Sequence, residues 1–450
     1  MSVRLSEERA RLLIAVPRRR QELIDELSEL YPAEVVELFN QLTERERVLI
    51  FRLLPITQAT DVFEKLPHQQ QISLLMNLSR RHRAEILNEM SPDDRADLFD
   101  ELPDELVSAL LLLLKDSERR NADTLMAFPE DTAGGRMTTE YARLAEDISV
   151  SEALEALRNL AATRETIRFV YVTDKTGVLV GFLHLEDLVF ASPSQQLRNI
   201  MRKHVISVKL DADQEEVAKV CAEFDLNVIP VVDERGKLRG IVTVDDVIDI
   251  IEEETTEDMH KMAAVEAMDL SYFQTKFMTL VRKRLVWLII LLIAETLSGD
   301  ILKSYSHVLE VIVGLAYFIP MLIDTGGNAG TQSATLIIRG LAVGEISFKQ
   351  VFSILRREIA SGFMMGCILG VIAFLRALWL GGGNPMLGIT VGAALTATVT
   401  VSTLTGALLP LIFQKVKLDP AVMCGPFITT LVDVIGLIVY FELAKVLLKL

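Results

Sequence analysis

Apolar and polar positions alternate in three different ways along the chain, and each pattern predicts a different architecture. In the first 130 residues an apolar residue followed by Pro, Ser or Thr recurs every 12 positions. The pairs are Leu42-Thr43, Leu54-Pro55, Leu66-Pro67, Leu78-Ser79, Met90-Ser91 and Leu102-Pro103, with Leu30 opening the register. Short amphipathic runs such as "ATDVFEKL" and "RAEILNEM" separate them. Pro, Ser and Thr suit the first positions of a helix, so each pair closes one short helix and opens the next. Stacking such two-turn helices buries a continuous core, which predicts an α-helical solenoid over residues 1–130. A domain of this kind serves as a scaffold or regulatory surface.

The next 120 residues switch to strand-like patterning and repeat once. "VYVTDKTGVLVGFLHLEDLV" and "VIPVVDERGKLRGIVTVDDVI" match at an offset of 59, pairing Asp174 with Asp233, Gly181 with Gly240 and Asp187 with Asp246. Each unit reads as strand, Asp-x-x-Gly turn, strand, and a helix that begins near the second Asp. The helical runs "VSEALEALRNLA" and "DQEEVAKVCAEF" precede the strand pairs. This resembles a tandem pair of CBS domains of α+β type, at residues 137–195 and 201–253. The Gly-apolar-apolar-Ser/Thr-x-x-Asp motif is complete in the second unit (Gly240, Thr243, Asp246), while His184 replaces the hydroxyl residue in the first. CBS pairs usually sense a small ligand, often an adenine nucleotide whose ribose meets the Asp, which makes Asp187 the candidate. His184 and Glu186 stand where a phosphate would want a hydroxyl or a cation, so a purely dimerising and gating role is equally open.

An acidic run follows. Asp245, Asp246, Asp249, Glu252, Glu253, Glu254, Glu257 and Asp258 fall between positions 245 and 258. Like charges at i,i+3 and i,i+4 destabilise a helix unless something neutralises them. The segment is predicted to continue as a linker helix over residues 254–281, read either as a solvated acidic linker or as a spring operated by a hard cation with oxygen ligands.

The last 170 residues are mostly apolar, with five candidate spans: Leu285–Leu302, Val308–Ile323, Ile359–Leu380, Met386–Ile412 and Pro426–Leu448. "DTGGNAGTQSATLIIRG", after the second, interrupts the apolar pattern and predicts irregular backbone lining a path. Arg282, Lys283 and Arg284 precede the first span; Arg339, Lys349, Arg356 and Arg357 separate the second from the third; Lys415 and Lys417 separate the fourth from the fifth. The alternate loops, "KSYSH" and "GGGNP", are nearly bare of positive charge. The positive-inside rule therefore places the acidic N-terminal half in the cytoplasm and the C-terminus outside, with Lys445 and Lys449 snorkelling at the outer face.

Charge sharpens this division. Residues 1–281 hold 33 basic and 53 acidic side chains, a net of −20, and residues 282–450 hold 13 and 9, a net of +4. The acidic half argues against nucleic acid as a partner and favours cations or basic surfaces. The start of the chain, with only a five-residue apolar run, does not read as a secretory signal. Cys221, Cys367 and Cys424 show no ligand spacing or pairing logic and fit a reducing compartment.

Within the spans the informative residues are carboxylates. Asp433 sits near the middle of the fifth, Asp324 ends the second, and Glu295 and Glu442 lie nearer the outer ends. An ionisable group inside a span marks a functional site by default. One carboxylate is poor provision for a divalent cation. A homodimer with its twofold axis along a pore would supply two, contacting a hydrated Mg²⁺ through its water shell. Small residues around Asp433 ("TTLVDVIG") and in "VGAALTATVTVSTLTGALLP" let helices approach closely.

A 12-residue helical repeat, a CBS pair, an acidic linker, and spans carrying "GGNAGTQSATLIIR" and "DPAVMCGPFITTLVDVIG" together resemble the MgtE family of magnesium channels over nearly the whole chain. The resemblance implies a multidomain homodimeric Mg²⁺ channel with five helices in its pore domain, residues 282–450. Asp433 stands at the family's selectivity carboxylate, and Gly326, Gly327, Asn328, Thr331 and Gln332 stand in its second-span motif. Some relatives carry Asn where this chain has Thr331 and Gly425, which places both among the pore-lining positions and shifts ion contacts toward hydroxyls and backbone carbonyls. The family's cytosolic Mg²⁺ sensor maps onto Asp61, Asp93 and Asp97 of the helical domain. It maps further onto Asp213, Glu215, Asp225, Asp246 and Asp249 of the second CBS unit, and Glu254, Glu257 and Asp258 of the linker. In some relatives the CBS pair binds ATP; here Phe169, Glu186 and Leu226 occupy positions where an aromatic and an Arg would help hold it.

The expectation is a Mg²⁺ channel that Mg²⁺ itself closes from the cytosolic side by bridging the acidic domains. An exchanger coupled to Na⁺ or H⁺, with Asp324 and Glu295 as coupling groups, and a membrane-anchored CBS-type sensor are the alternatives. A channel dedicated to Co²⁺, Ni²⁺ or Mn²⁺ is disfavoured because no His or Cys ligands lie near the pore. No nucleophile–base pair, Walker-type loop or zinc motif points to an enzyme.

Overall fold

The computed structural model describes residues 5, 7–16, 19–160, 166–266, 275–380, 383–420 and 425–449. Cys424 and residues 267–274 of the predicted linker lie outside the described residues. The chain divides into two compact units, 1–251 and 252–450.

The first unit opens with ten helices: α1 (Glu7–Ala15), α2 (Arg20–Ser28), α3 (Pro32–Gln41), α4 (Glu44–Phe51), α5 (Ile56–Glu64), α6 (His68–Asn77), α7 (Arg80–Glu89), α8 (Pro92–Asp100), α9 (Asp104–Leu111) and α10 (Asp116–Leu125). The 12-residue register explains their boundaries. Leu42, Leu54, Leu66, Leu78, Met90 and Leu102 all point into one apolar core shared by the stack. The residue that follows each one is the N-cap of the next helix. Pro92 is its helix's first residue. Ser79 Oγ accepts from the His82 amide at 3.2 Å. Thr43 and Glu46 close a reciprocal cap, with the Thr43 amide donating to Glu46 Oε2 at 2.8 Å.

Two small sheets follow. β1 (Tyr141–Ala145), α11 (Val150–Leu160), β2 (Thr166–Thr173), β3 (Leu179–His184), α12 (Leu185–Phe190) and α13 (Leu197–Ile200) form the first CBS unit. β4 (Val208–Lys209), α14 (Gln214–Glu223), β5 (Val228–Val232) and β6 (Leu238–Thr243) form the second, and α15 (Val244–Met262) leads out of it. In both, the first strand runs parallel to the second and the second antiparallel to the third. The repeated turns are built alike. Asp174 Oδ1 accepts from the amides of Thr176 and Val178, and Asp233 Oδ1 from those of Arg235 and Lys237. Gly177 and Gly236 then take φ of +86° and +74°, which only glycine adopts without strain. Ala96 and Leu125 of the helical stack join Val217, Ile229, Val242, Val247 and Ile250 in one core, so the stack, the second CBS unit and the start of α15 pack as a body.

The second unit begins inside α15 and continues as α16 (Phe277–Ser304), α17 (Ser306–Val311), a 3₁₀ turn (Val313–Phe318), α18 (Ile319–Ala342), a 3₁₀ turn (Phe348–Gln350), α19 (Val351–Leu380), α20 (Pro385–Lys415) and α21 (Pro426–Leu448). Three helical segments, Phe277–Ser304, Phe348–Leu380 and Pro385–Lys415, are long and apolar enough to cross a membrane by length and composition. The expected second span, Val308–Ile323, is not one helix. It breaks into α17 and the 3₁₀ turn, and the Gly-rich stretch expected to be irregular lies inside the continuous helix α18. The glycines are there for packing. A Cβ on Gly326 would crowd Thr398 and Ser402, one on Gly327 Thr429, and one on Gly330 Ile428 and Val432. Gly362, Gly366 and Gly370 likewise let α19 lie on Thr403, Thr396 and Gly392 of α20, with Thr396 Oγ1 donating to the Gly366 carbonyl at 2.9 Å. This is close small-residue packing of the kind apolar surroundings favour.

Candidate cation path and acidic sensor

Asp433 lies on α21, which packs against α18 and α20. Its carboxylate is half-buried, and Oδ1 is shielded from solvent without a hydrogen-bond partner. Glu295 of α16 and Asp324 of α18 are near enough to repel it. Thr331 Oγ1 on α18 and Thr398 Oγ1 on α20 are also buried and unpartnered. A buried polar atom without a partner costs free energy, so each of these oxygens, like the buried Ser298 Oγ of α16, calls for a cation or water. Thr398 was invisible in the sequence as a site residue, because its stretch reads as small-residue packing.

Helical spacing arranges the rest. Asp324, Asn328 and Gln332 follow each other at i, i+4 and i+8 of α18, on a face exposed in the single chain. Asn328 Nδ2 donates to Asp324 Oδ2 at 3.3 Å. Gly425, the N-cap of α21, has φ +56°, and a Cβ there would collide with the Met262 carbonyl of α15. Met262 itself packs into the cluster of Ala334, Ile338, Ile428 and Val432. The end of α15 therefore rests on the ends of α18 and α21, with Val432 adjacent to Asp433.

The acids of α15 within this unit gather there as well. Lys261 Nζ lies 2.7 Å from Asp419 Oδ2 and 2.9 Å from Glu257 Oε1. Burial opposes the ammonium, but hydrogen bonds to Asp419 and Glu257 outweigh it and hold the Lys261 pKa above its ordinary value. Asp258 is pushed up to about 6, first by burial and then by repulsion from Asp419. Glu254 and Glu257 add smaller repulsions. Asp419 and Lys261 were missed as site residues; a contact 158 positions apart leaves no trace in local spacing.

In the first unit, Asp246 and Asp249 of α15 face Asp94 of α8, along with Asp245. Burial raises the Asp246 carboxyl to about 6 against the hydrogen bonds from Thr243, and Asp245 and Asp94 raise it further. Burial likewise raises Asp94. Asp94 and Asp245, which the sequence reading did not single out as sensor residues, lie in this cluster. Of the expected Asp93 and Asp97, Asp97 ion-pairs with Arg136 at 3.3 Å and Asp93 is buried within α8. Asp213 caps α14 by accepting from the Glu215 amide at 2.8 Å. Glu215, Asp61 and Asp225 are exposed. Among the described residues, no three His, Cys, Asp or Glu side chains converge tightly enough to hold a metal ion on their own.

In the first CBS unit, Asp187 Oδ2 accepts from the His184 amide at 2.9 Å and Oδ1 lies 3.5 Å from Arg202. The His184 ring sits edge-on between Phe169 and Phe182, at 5.0 and 5.6 Å.

A CBS pair joined through an acidic helix to an apolar helical domain with buried, unpartnered oxygens points to a class: a ligand-regulated cation transport protein. Comparison with known sequences makes the assignment particular. Residues 319–443 match the MgtE divalent cation transporter domain, residues 30–131 the MgtE intracellular N domain, and residues 133–194 and 197–253 the CBS domain. The chain is 41% identical over 337 residues to the magnesium transporter MgtE of Thermus thermophilus, covering 75% of this chain and 74% of that one. It is 38% identical over 332 residues to the magnesium transporter MgtE of Bacillus subtilis, covering 74% and 73%. A crystal structure of the cytosolic domain of the Mg²⁺ channel MgtE in complex with ATP superposes with a TM-score of 0.51 at 38% identity, over 56% of this chain and all of that one. The chain belongs to the MgtE family.

Proposed function

We propose that this protein carries Mg²⁺ across the cell membrane, down its gradient, through a path that passes Asp433, and that Mg²⁺ on the cytosolic side closes the path. The observation that carries this reading is the unpartnered Asp433 Oδ1, buried in the bundle and within repelling distance of Glu295 and Asp324. A site rich in oxygen and without His or Cys suits a hard cation that keeps part of its water. Five crossings, by α16, α18, α19, α20 and α21, bring the basic ends of α18, α19 and α20 to the cytosolic face and the C-terminus outside. The exposed row of Asp324, Asn328 and Gln332 fits a homodimer in which a second copy completes the path.

Closure acts through α15. At one end Asp245, Asp246 and Asp249 oppose Asp94; at the other Asp419, Glu254 and Glu257 oppose Asp258. Cations among these carboxylates relieve the repulsion and favour the arrangement in which Met262 sits against α18 and α21. The ligand shifts the equilibrium only by its preference for that closed form. An adenine nucleotide at the first CBS unit, held near Asp187 and the Phe169 ring, is supported by the ATP-bound relative. Coupling to Na⁺ or H⁺ remains the second reading, because Asp324 and Glu295 flank Asp433 as ionisable groups.

The deciding experiment is Mg²⁺ flux into liposomes holding the purified protein, with cytosolic-side Mg²⁺ varied and no other gradient. Downhill flux that falls as Mg²⁺ rises is the expected result. Flux that starts only with a Na⁺ or H⁺ gradient would replace the channel by an exchanger.

A further inference from the structure

The strongest unassigned surface lies where α18, α19 and α20 end together. The loop after α18 folds back tightly: the Ile346 amide donates to the Gly340 carbonyl at 2.8 Å, and a Cβ on Gly340 would strike Ile346. Ile337, Leu341, Ala407 and Leu411 are buried there, with Ile346, Phe348, Val351, Ile354 and Leu355 packed against them. This small apolar cluster brings the start of α19 to the end of α20. Lys415 Nζ lies 4.6 Å from the centre of the Phe348 ring, which fixes the ammonium beside the 3₁₀ turn.

Around that cluster stand exposed cations: Lys349, Arg356, Arg357 and Lys415. Among the described residues none of the four has an ion-pair partner. The neighbouring Glu358 is turned into the bundle, where its Oε2 accepts from Ser333 Oγ at 2.6 Å. Exposed cations on one rim with no carboxylate partner attract an anion that can lie among them. Helical spacing says which kind of anion. Phe352, Arg356, Ile359 and Phe363 follow at i, i+4, i+7 and i+11, one stripe down α19. Phe352, Ile359 and Phe363 are 86%, 45% and 58% exposed. A charged group level with Arg356, continued by an apolar strip along the same helix face, matches a molecule with an anionic head and a hydrocarbon tail. A nucleic acid or free phosphate would leave that strip uncovered.

We propose that this surface binds the head group of an anionic phospholipid, with its phosphate among Lys349, Arg356 and Lys415 and an acyl chain along Ile359 and Phe363. The proposal rests on the membrane placement of the second unit, and basic pockets between helices at a membrane face recognise such head groups. The occupied site ties the α18–α19 loop to the end of α20, and through α20 to the Asp419 loop that Lys261 holds.

The test uses full-length protein, purified, delipidated, and exposed to vesicles of equimolar phosphatidylcholine and phosphatidylglycerol. Native mass spectrometry reads the retained lipid. Wild type should keep phosphatidylglycerol over phosphatidylcholine, and each cation removed should weaken that preference about fivefold. The variant K349Q/R356Q/K415Q should therefore lose it by roughly a hundredfold. Arg356→Gln alone, expected to cost about fivefold, serves if the triple variant does not fold. An unchanged preference in a folded variant overturns the proposal. Displacement by inorganic phosphate as effective as by the lipid would make this a soluble-anion site and overturn the lipid assignment. Retention is read without transport, so protein that keeps the lipid but passes no Mg²⁺ fails only the proposed function.

Discussion

Lys261, near the end of α15, and Asp419, in the loop between α20 and α21, form an ion pair of 2.7 Å across 158 positions of sequence. Glu257, one turn back, holds the same ammonium. The pair is partly exposed, at 26% and 37%, so solvent limits its contribution to about 1 kcal/mol. That corresponds to about fivefold in the closing equilibrium. Lys261→Met and Asp419→Asn are each expected to raise flux about fivefold at Mg²⁺ levels that close the wild type. The double variant should add little to either, as coupled partners do. Additive effects in liposome flux would show that the two residues do not act on each other.

Gly425 offers a steric test of the same seat. Its backbone is in a region that a side chain strains, and a Cβ would meet the Met262 carbonyl. Gly425→Ala should push the end of α15 away from α21 and leave substantial flux at high Mg²⁺. Met262→Ala, which thins the contact with Ile428 and Val432 without strain, should act in the same direction but more weakly. Unchanged inhibition in both variants would remove this contact from the closing mechanism.

Where the sequence could and could not be read follows from the range of the forces involved. The 12-residue register was legible because capping and burial act within one or two turns, and the buried residues from Leu42 to Leu102 confirm it. The CBS repeat was legible because an Asp-x-x-Gly turn needs its own chemistry at fixed spacing. The run from Asp324 to Gly340 misled, since glycines that look like helix breakers are the condition for α18 to touch α20 and α21. Within "SPDDRADLFDE" the choice among Asp93, Asp94 and Asp97 depends on which face of α8 meets α15. Arg136, 39 positions after Asp97, pairs with that carboxylate, a contact that local spacing does not announce. Among the buried oxygens without a partner, Asp433 stood out in the sequence by its apolar setting, while Thr398 looked like one more small residue in a packed helix.

The raised carboxyls of the first unit predict a pH dependence with a definite sign. Asp246 has its folded-state pKa near 6 and an ordinary value of 3.8. Between these values the folded state binds more protons than the unfolded one, so its contribution to stability falls as pH rises through that window. It is present below the ordinary value and lost above about 6. Asp94, shifted in the same direction, adds to the effect. In thermal unfolding without divalent cations, Asp246→Asn should raise the midpoint at pH 7.5 and lose that advantage near pH 4. Mg²⁺ at neutral pH should stabilise wild type more than the variant. Equal stabilisation of both would mean that the cation binds elsewhere.

Asp433 carries the largest expected effect. A unit charge about 5 Å from a divalent ion, at an effective dielectric constant near 20, contributes on the order of 6 kcal/mol of attraction. Water entering the vacated space returns part of this. A net loss of about 3 kcal/mol corresponds to roughly a hundredfold in rate. Asp433→Ala is therefore expected to lower Mg²⁺ flux about a hundredfold or more, with assembly and unfolding temperature unchanged. Asp433→Asn, which keeps the shape and a carbonyl oxygen, should fall between it and wild type. Asp324→Asn and Glu295→Gln remove only neighbouring negative potential and should lower flux a few-fold, more at low ionic strength than at high. Their effect also separates the two readings of the site. In a channel, each lowers flux by the same factor whatever Na⁺ or H⁺ gradient is imposed. In an exchanger, neutralising the coupling carboxylate abolishes the gradient dependence itself, and that result would transfer the central role from Asp433 to its neighbours.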